Sequence, residues 1–207
     1  MHEGLSVKQH AGAVGWSEVA GRESALVERC AAGDEDASAE LVAEHQRMVV
    51  ALAANLLGDR DEALDLAQEV FLRVFRTIHR FRGQSALRTW IYRITVNQVR
   101  NRQRWWRRRH RGDQVSLDGP LQRCRDLALR SETASPDRVF AQRELARRLR
   151  AALERLPFEQ RTAIVLREIE GLSYEEIAFA LGLATGTVKS RLTRARQALR
   201  TELRELR

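Results

Sequence analysis

The stretch LSYEEIAFALGLATGTVKSRLTRARQALR, residues 172–200, spells two short helices joined by a tight turn. Ser173 stands as an N-cap, and Glu176 three residues later can reach back to the Ser173 amide to complete a capping box, so a helix starts near Tyr174. Ile177, Ala178 and Leu181 give that helix one apolar side, and Gly182 supplies the left-handed residue that ends it. The turn is Gly182-Leu183-Ala184, after which Thr185 can cap a second helix. Val188, Leu192, Ala195 and Leu199 recur there at i, i+4, i+7 and i+11, a face that must be buried.

At about 100° per residue, the opposite side of the second helix carries Gly186, Ser190, Thr193, Arg194 and Gln197, flanked by Lys189, Arg191 and Arg196. Hydroxyl, amide and guanidinium groups in this order are the donors and acceptors that reach base edges and phosphates from a helix in the major groove. An amphipathic helix with a solvated basic face has the same composition. The capping box and glycine turn beside that face favour a DNA-binding helix-turn-helix.

Composition is consistent with a polyanionic partner. The 207 residues are 43% hydrophobic, enough for one medium core or two small ones. Thirty-six Lys and Arg against 28 Asp and Glu leave a formal charge of +8. Much of that arginine sits among helix formers, where salt-bridged solvated faces are common, so clustering says more than net charge. Cys30 and Cys124 stand far apart with no second cysteine at metal-ligand spacing, which predicts reduced thiols and no metal site. The longest apolar run, Met48 to Leu57, is too short for a bilayer and contains Asn55, and no basic start with an apolar core opens the chain. A soluble, cytoplasmic protein without membrane insertion is expected. There is no Walker loop, HExxH, GxSxG or dinucleotide fingerprint and the five histidines are scattered, so neither catalysis nor a cofactor is expected.

Working outward, residues 1–21 lack sustained periodicity and read as a flexible tail. A short helix with Leu26, Val27 and Cys30 inward ends at Gly33. Asp34-Glu35-Asp36 then caps a helix to about Leu57, whose broad apolar face includes His45, read as packed rather than as a ligand. A third helix, Asp61 to Arg80, lines Ala63, Ala67, Val70, Phe71, Val74 and Ile78 along a core stripe. Its other side shows Asp65, Gln68, Glu69, Leu72 and Arg73. The i, i+4 carboxylates invite an acid–base reading, but with no nucleophile or metal partner, and with Leu72 beside them, a protein-docking patch fits better.

Phe81-Arg82-Gly83-Gln84-Ser85 breaks the pattern, and Ser85 can cap a helix from about Ala86 to Trp106. Leu87, Trp90, Ile91 and Ile94 are expected to pack, with Tyr92, Arg93 and Asn97 outward. Arg100 to Arg111 holds seven arginines and no carboxylate, interleaved with Trp105, Trp106 and His110. Arginine forks among aromatic faces can track a phosphate backbone and stack on unpaired bases; a solvated basic helix end is the plainer alternative. From 112 to 135, Gly119-Pro120 and Ser135-Pro136 punctuate a flexible linker. Ser135-Pro136 starts a helix with Phe140, Leu145, Leu149, Leu153 and Leu156 on one side, and Pro157 starts another to about Glu170. The expected architecture is all-α: two small helical domains, 22–111 and 136–207, joined by that linker, the second carrying the helix-turn-helix.

Several motifs together resemble the extracytoplasmic-function (ECF) sigma factors of bacterial RNA polymerase. They are Asp65-Leu66-Ala67-Gln68-Glu69-Val70-Phe71, then Phe81-Arg82-Gly83 followed by Thr89-Trp90-Ile91-Tyr92-Arg93-Ile94 and Asn97, then Leu156-Pro157. The last are Gly171-Leu172-Ser173-Tyr174-Glu175-Glu176-Ile177-Ala178 and Gly186-Thr187-Val188-Lys189-Ser190-Arg191. The resemblance covers about Ser24 to Leu203 and makes 22–111 sigma region 2 and 136–207 sigma region 4. Ala184 stands where many relatives have proline.

The resemblance implies that Asp65, Gln68, Glu69 and Leu72 dock on the clamp helices of the polymerase's largest subunit. It implies that Phe81, Arg82, Gly83, Gln84 and Ser85, with Trp90, Asn97, Arg100 and Arg104, accept a flipped base and hold the separated strand of the minus-ten element. Flipping needs a pocket because a stacked base hides its faces. Arg167, Thr187, Lys189, Ser190, Arg191, Thr193, Arg194 and Gln197 would bind the minus-thirty-five element. The partners implied are core RNA polymerase, promoter DNA and an anti-sigma factor. A helix-turn-helix operator-binding regulator is the main alternative, and it accounts only for the C-terminal half. A scaffold for partner helices would leave the recognition-helix chemistry idle.

Overall fold

The computed structural model describes residues 13–109 and 136–205, with side chains placed over 21–109 and 144–204. Among these residues all regular structure is helical, in eight α-helices with a 3₁₀ turn and a π turn. The first is α1 (Ala13–Ala31), followed by α2 (Glu35–Leu57). Asp34 caps α2 by accepting from the Ala37 amide at 2.9 Å, and Glu35 and Asp36 place negative charge at its positive end. Gly58, at φ 78°, ends it with its amide on the Ala54 carbonyl. Asp59 then caps α3 (Arg60–Thr77) through the amides of Asp61 and Glu62. Two caps one residue apart turn the chain back on itself and set α3 against α2. A 3₁₀ turn, Ile78–Arg80, leads to the loop before α4 (Leu87–Arg109). Leu41, Leu52, Leu56, Leu66, Val70, Val74, Leu87, Ile91 and Val99 are fully buried between these helices.

The C-terminal half comprises α5 (Pro136–Arg155), α6 (Phe158–Ile164), a π turn at Val165–Ile169, α7 (Tyr174–Leu181) and α8 (Thr185–Glu205). Ser173 Oγ accepts from the Glu176 amide at 3.1 Å while the Ser173 amide donates to Glu176 Oε2 at 2.7 Å, a complete capping box. Gly182 adopts φ 65° and its amide reaches the Ala178 and Phe179 carbonyls. Ile177, Val188, Leu192 and Ala195 are buried, holding the two helices of the motif together. Ser173→Ala is expected to remove the bond from the Glu176 amide to Ser173 Oγ, leaving the backbone amide of residue 173 to donate to Glu176, and to cost about 1 kcal/mol, lowering the melting temperature by about 2–4 °C. An unchanged thermal transition would show that packing alone holds α7.

Several expectations change. The tail ends sooner than Gly21: α1 already runs from Ala13, because one glycine costs only about 1 kcal/mol in a helix, and packing of Leu26, Val27 and Cys30 lets the helix propagate through it. Residues 1–12 and the linker at 112–135, with Cys124 and Ser135, fall outside the described residues. Ser85 does not cap α4; its hydroxyl donates to the Ala86 carbonyl, and the Leu87 amide instead donates to Glu23 Oε2 of α1 at 3.2 Å. Thr185 is the first residue of α8 and not its cap, since the Ala184 carbonyl already accepts from Thr187 and Val188. Leu145 and Leu149, expected inward, are exposed at 64% and 39%. Tyr92, expected outward, is fully buried. The two helical halves also touch: α4 packs on α7, and one hydrophobic cluster runs from Leu26 to Ala195.

Candidate functional site

Three surfaces gather the candidate residues. On α3, Asp65, Gln68, Glu69 and Leu72 fall at i, i+3, i+4 and i+7, one exposed stripe opposite the buried Leu66, Val70 and Val74. Leu72 is 56% exposed and Leu64 alongside is 44% exposed. Carboxylates around uncovered leucines make a surface suited to a basic, apolar partner. Glu69 is not free: Arg102 of α4 holds Glu69 Oε1 and Glu62 Oε2, each at 2.6 Å. That fork joins the acidic stripe to the basic end of α4.

The second surface is the Phe81–Ser85 loop and the helix behind it. The Phe81 ring lies 5.5 Å from Trp90, tilted by 57°, a ring contact that seats the loop on α4. Arg82, Gly83 and Gln84 are exposed, with Gly83 at φ 65°. Trp90, Asn97 and Arg104 recur every seven residues and so share one side of α4; Asn97 and Arg104 are exposed along it. Arg107, Arg108 and Arg109 continue the basic end, and the Arg109 guanidinium lies 4.9 Å over the exposed Trp105 ring. Arg100, ten residues from Trp90, points elsewhere. It reaches Glu159 at the start of α6, 3.4 Å away, and lies over the Phe158 ring.

The third surface is the outward side of α8. Gly186, Thr187, Lys189, Ser190, Thr193, Arg194 and Gln197 are exposed, while Val188, Leu192 and Ala195 are buried beneath them. The Ser190 hydroxyl donates to Thr187 O at 2.9 Å and that of Thr193 to Lys189 O at 3.0 Å, so both hydroxyls keep acceptor capacity toward solvent. Arg191 turns aside to the same Glu159 that Arg100 meets, at 2.5 Å. Arg167 also turns inward, donating to the Leu172 carbonyl at 2.6 Å and lying 5.1 Å over the Tyr174 ring. Arg196 pairs with Glu168 at 2.7 Å.

Contacts that the sequence does not reveal lie between the halves. Tyr92 donates from its hydroxyl to Glu170 Oε2 at 2.6 Å, and Arg88 donates to Tyr92 Oη and to the Glu170 carbonyl at 3.2 and 2.9 Å. Burial pushes both the Glu170 carboxyl and the Tyr92 phenol above their ordinary ranges. Thr89 donates to Glu176, and Arg93 lies 5.5 Å over the Phe179 ring. No signal within the chain pairs Glu159 with Arg100 and Arg191, because these partners are far apart in sequence. An open apolar groove of about 280 Å³ lies on the C-terminal half, lined by Leu149, Leu153, Ile164, Ile169, Leu199 and Leu203.

Residues 41–112 match the family Sigma-70 region 2, and residues 146–199 match Sigma-70, region 4. The chain is 38% identical over 181 residues to the RNA polymerase sigma-H factor of Pseudomonas aeruginosa, covering 87% of this chain and 93% of that protein. It is 37% identical over 181 residues to the ECF RNA polymerase sigma-E factor of Escherichia coli (strain K12), covering 87% and 94%. Among solved structures it is similar to the sigma factor RpoE of Bartonella quintana in complex with the anti-sigma factor NepR, with TM-score 0.63 and 26% identity over 80% of this chain and 95% of that one. CnrH in complex with the cytosolic domain of CnrY gives the same TM-score at 27% identity, covering 88% and 97%.

Proposed function

Since the chain belongs to the sigma-70 family, in its extracytoplasmic-function group, it acts as an alternative sigma factor directing RNA polymerase to promoters, and we propose how its residues divide that work. Sigma factors are non-enzymatic initiation factors. The observation that carries the residue assignment is the exposed polar and basic side of α8 above a buried stripe, in a helix-turn-helix closed by a full capping box. In this reading, Thr187, Lys189, Ser190, Thr193, Arg194 and Gln197 bind the minus-thirty-five element, and Arg191 joins them on release from Glu159. Arg167 acts by holding the turn before α7 rather than by touching DNA.

On the minus-ten side, Phe81 to Ser85 form the loop that takes a flipped base, supported by Trp90, with Asn97 and Arg104 along the separated strand. Asp65, Gln68, Glu69 and Leu72 dock on the clamp helices of the polymerase's largest subunit. Two of the similar structures are complexes, one with an anti-sigma factor and one with the cytosolic domain of CnrY, which supports control of this chain by an anti-sigma protein. No helix among the described residues is long and apolar enough to cross a membrane. We infer that the chain works in the cytoplasm, beside polymerase.

Reconstituted transcription tests the assignment. Mixed with core polymerase, the chain is expected to start transcription at specific promoters. Arg194→Ala should weaken it by about 1–3 kcal/mol of base recognition, whereas Arg196→Ala, whose partner is the surface carboxylate of Glu168, should change little. Equal losses would mean that α8 binds by bulk charge. Operator binding without polymerase-dependent initiation would favour the regulator reading.

A further inference from the structure

Among the basic side chains of α4, Arg102 is turned back onto the acidic stripe of α3. Its Nη1 donates to Glu62 Oε2 and its Nη2 to Glu69 Oε1, each at 2.6 Å. The two carboxylates stand seven residues apart with Asp65 between them, so one guanidinium spans about two turns of α3. Arg102 follows Asn97 by five residues, and at about 100° per residue it points about 140° away from the side of α4 assigned to the separated strand. It faces the α3 stripe and not the strand.

The fork stands on a fixed base. Val99, one turn before it, is fully buried, and Gln103 beside it donates to the Leu56 carbonyl at the end of α2, at 3.4 Å. The Arg102 side chain is 20% exposed, against 72% for Arg22 and 61% for Arg155 in their surface pairs. Sheltered charge-assisted bonds to a rigid donor are screened little and fix where the acceptor lies. Glu69 gives Arg102 only Oε1, so Oε2 keeps its capacity to accept from a partner. Without the fork, Asp65 repels Glu62 at i, i+3 and Glu69 at i, i+4, and an unheld Glu69 has to be immobilised when a partner arrives.

We propose that Arg102 is a positioning residue for polymerase docking: it grips Glu62 and Glu69 together and so presents the Glu69 carboxylate to the clamp helices in its bound orientation. Glu62 takes part by anchoring the second arm of the fork. This rests on the assignment of the α3 stripe to polymerase. The positive charge of Arg102 opposes the attraction of a basic partner, but salt screens that opposition, whereas the saved immobilisation is independent of salt. Geometry therefore decides the sign, because a guanidinium offers two nitrogens at a fixed separation where lysine offers one.

Arg102→Lys keeps the charge and removes the fork. Full-length wild-type and variant chains compete with a fluorescently labelled wild-type chain for core polymerase. The affinity of Arg102→Lys is expected to fall about three- to tenfold, the scale of one side chain immobilised on binding. Promoter transcription should return to the wild-type rate at saturating core polymerase, since the strand-holding side of α4 is untouched. Glu62→Ala, which leaves Arg102 in place, should weaken core binding in the same direction. In a Glu69→Ala background, where no carboxylate is left to position, each change is expected to shift affinity by less than about twofold. Unchanged core affinity in either variant, or a loss of the same size with and without Glu69, would overturn the proposal. A transcription deficit that persists at saturating polymerase would overturn it in favour of a DNA contact. If Asp65→Arg with Glu69→Arg leaves core binding intact, the docking assignment itself falls, and the role of Arg102 falls with it.

Discussion

Asp65→Arg together with Glu69→Arg is expected to abolish binding to core RNA polymerase while leaving the chain folded. Both carboxylates are exposed on α3, and reversing two charges at a complementary interface replaces attraction by repulsion, at a cost of several kcal/mol. A loss above 100-fold in affinity, about 2.7 kcal/mol, is the expected scale. Stability should barely change, because exposed ion pairs contribute about 0–1 kcal/mol. The pair that is lost, Glu69 with Arg102, leaves Arg102 still held by Glu62 at 2.6 Å. Co-purification with polymerase at wild-type yield would remove the docking assignment. A collapse of the thermal transition would show that Arg102 depends on both carboxylates.

The second large effect concerns strand opening. Phe81 is seated by Trp90, and Asn97 projects from the same side of α4 one heptad further on. Phe81→Ala and Asn97→Ala should leave polymerase binding intact, since neither lies on the α3 stripe, but slow opening of the minus-ten element. Unstacking and unpairing a base is worth a few kcal/mol, so losses of tenfold or more in opening rate are expected. A promoter already mismatched at those positions should recover much of the activity, because that cost is then met in advance. Permanganate reactivity of unpaired thymines in the holoenzyme complex measures this directly. Wild-type opening of duplex DNA by both variants would remove the loop from the mechanism. Phe81→Ala also takes away the ring that packs on Trp90, so rescue by the mismatched promoter, which a folding defect would not show, separates the two causes.

Much of this molecule is written locally. Ser173, Glu176 and Gly182 mark the ends of α7 by chemistry acting within a few residues, and the structure has the capping box and the left-handed glycine where the spacing places them. Asp34 and Asp59 likewise cap α2 and α3 from the adjoining residues. Periodicity separates the exposed stripe of α3 from its core side and the polar side of α8 from Val188, Leu192 and Ala195, because one helical turn places both sets. Those local signals determine an all-α chain with a C-terminal helix-turn-helix.

What the sequence could not supply depends on groups brought together from distant parts of the chain. Ser85 has the right type for a cap, yet the α4 amide is met by Glu23, because the packing of α1 carries a carboxylate there first. Tyr92 looks like an outward residue by its spacing and is buried because α7 covers α4, with its hydroxyl satisfied by Glu170. Arg100 and Arg191 read alike as free basic groups, and only the tertiary structure turns them both to Glu159. Sequence alone determined the all-α class, the helix-turn-helix and the exposed sides of α3 and α8, since helix periodicity and capping are local. Tertiary structure alone decided which arginines are already spoken for and that the two halves close on each other, since a charge or a ring selects its partner by distance in space.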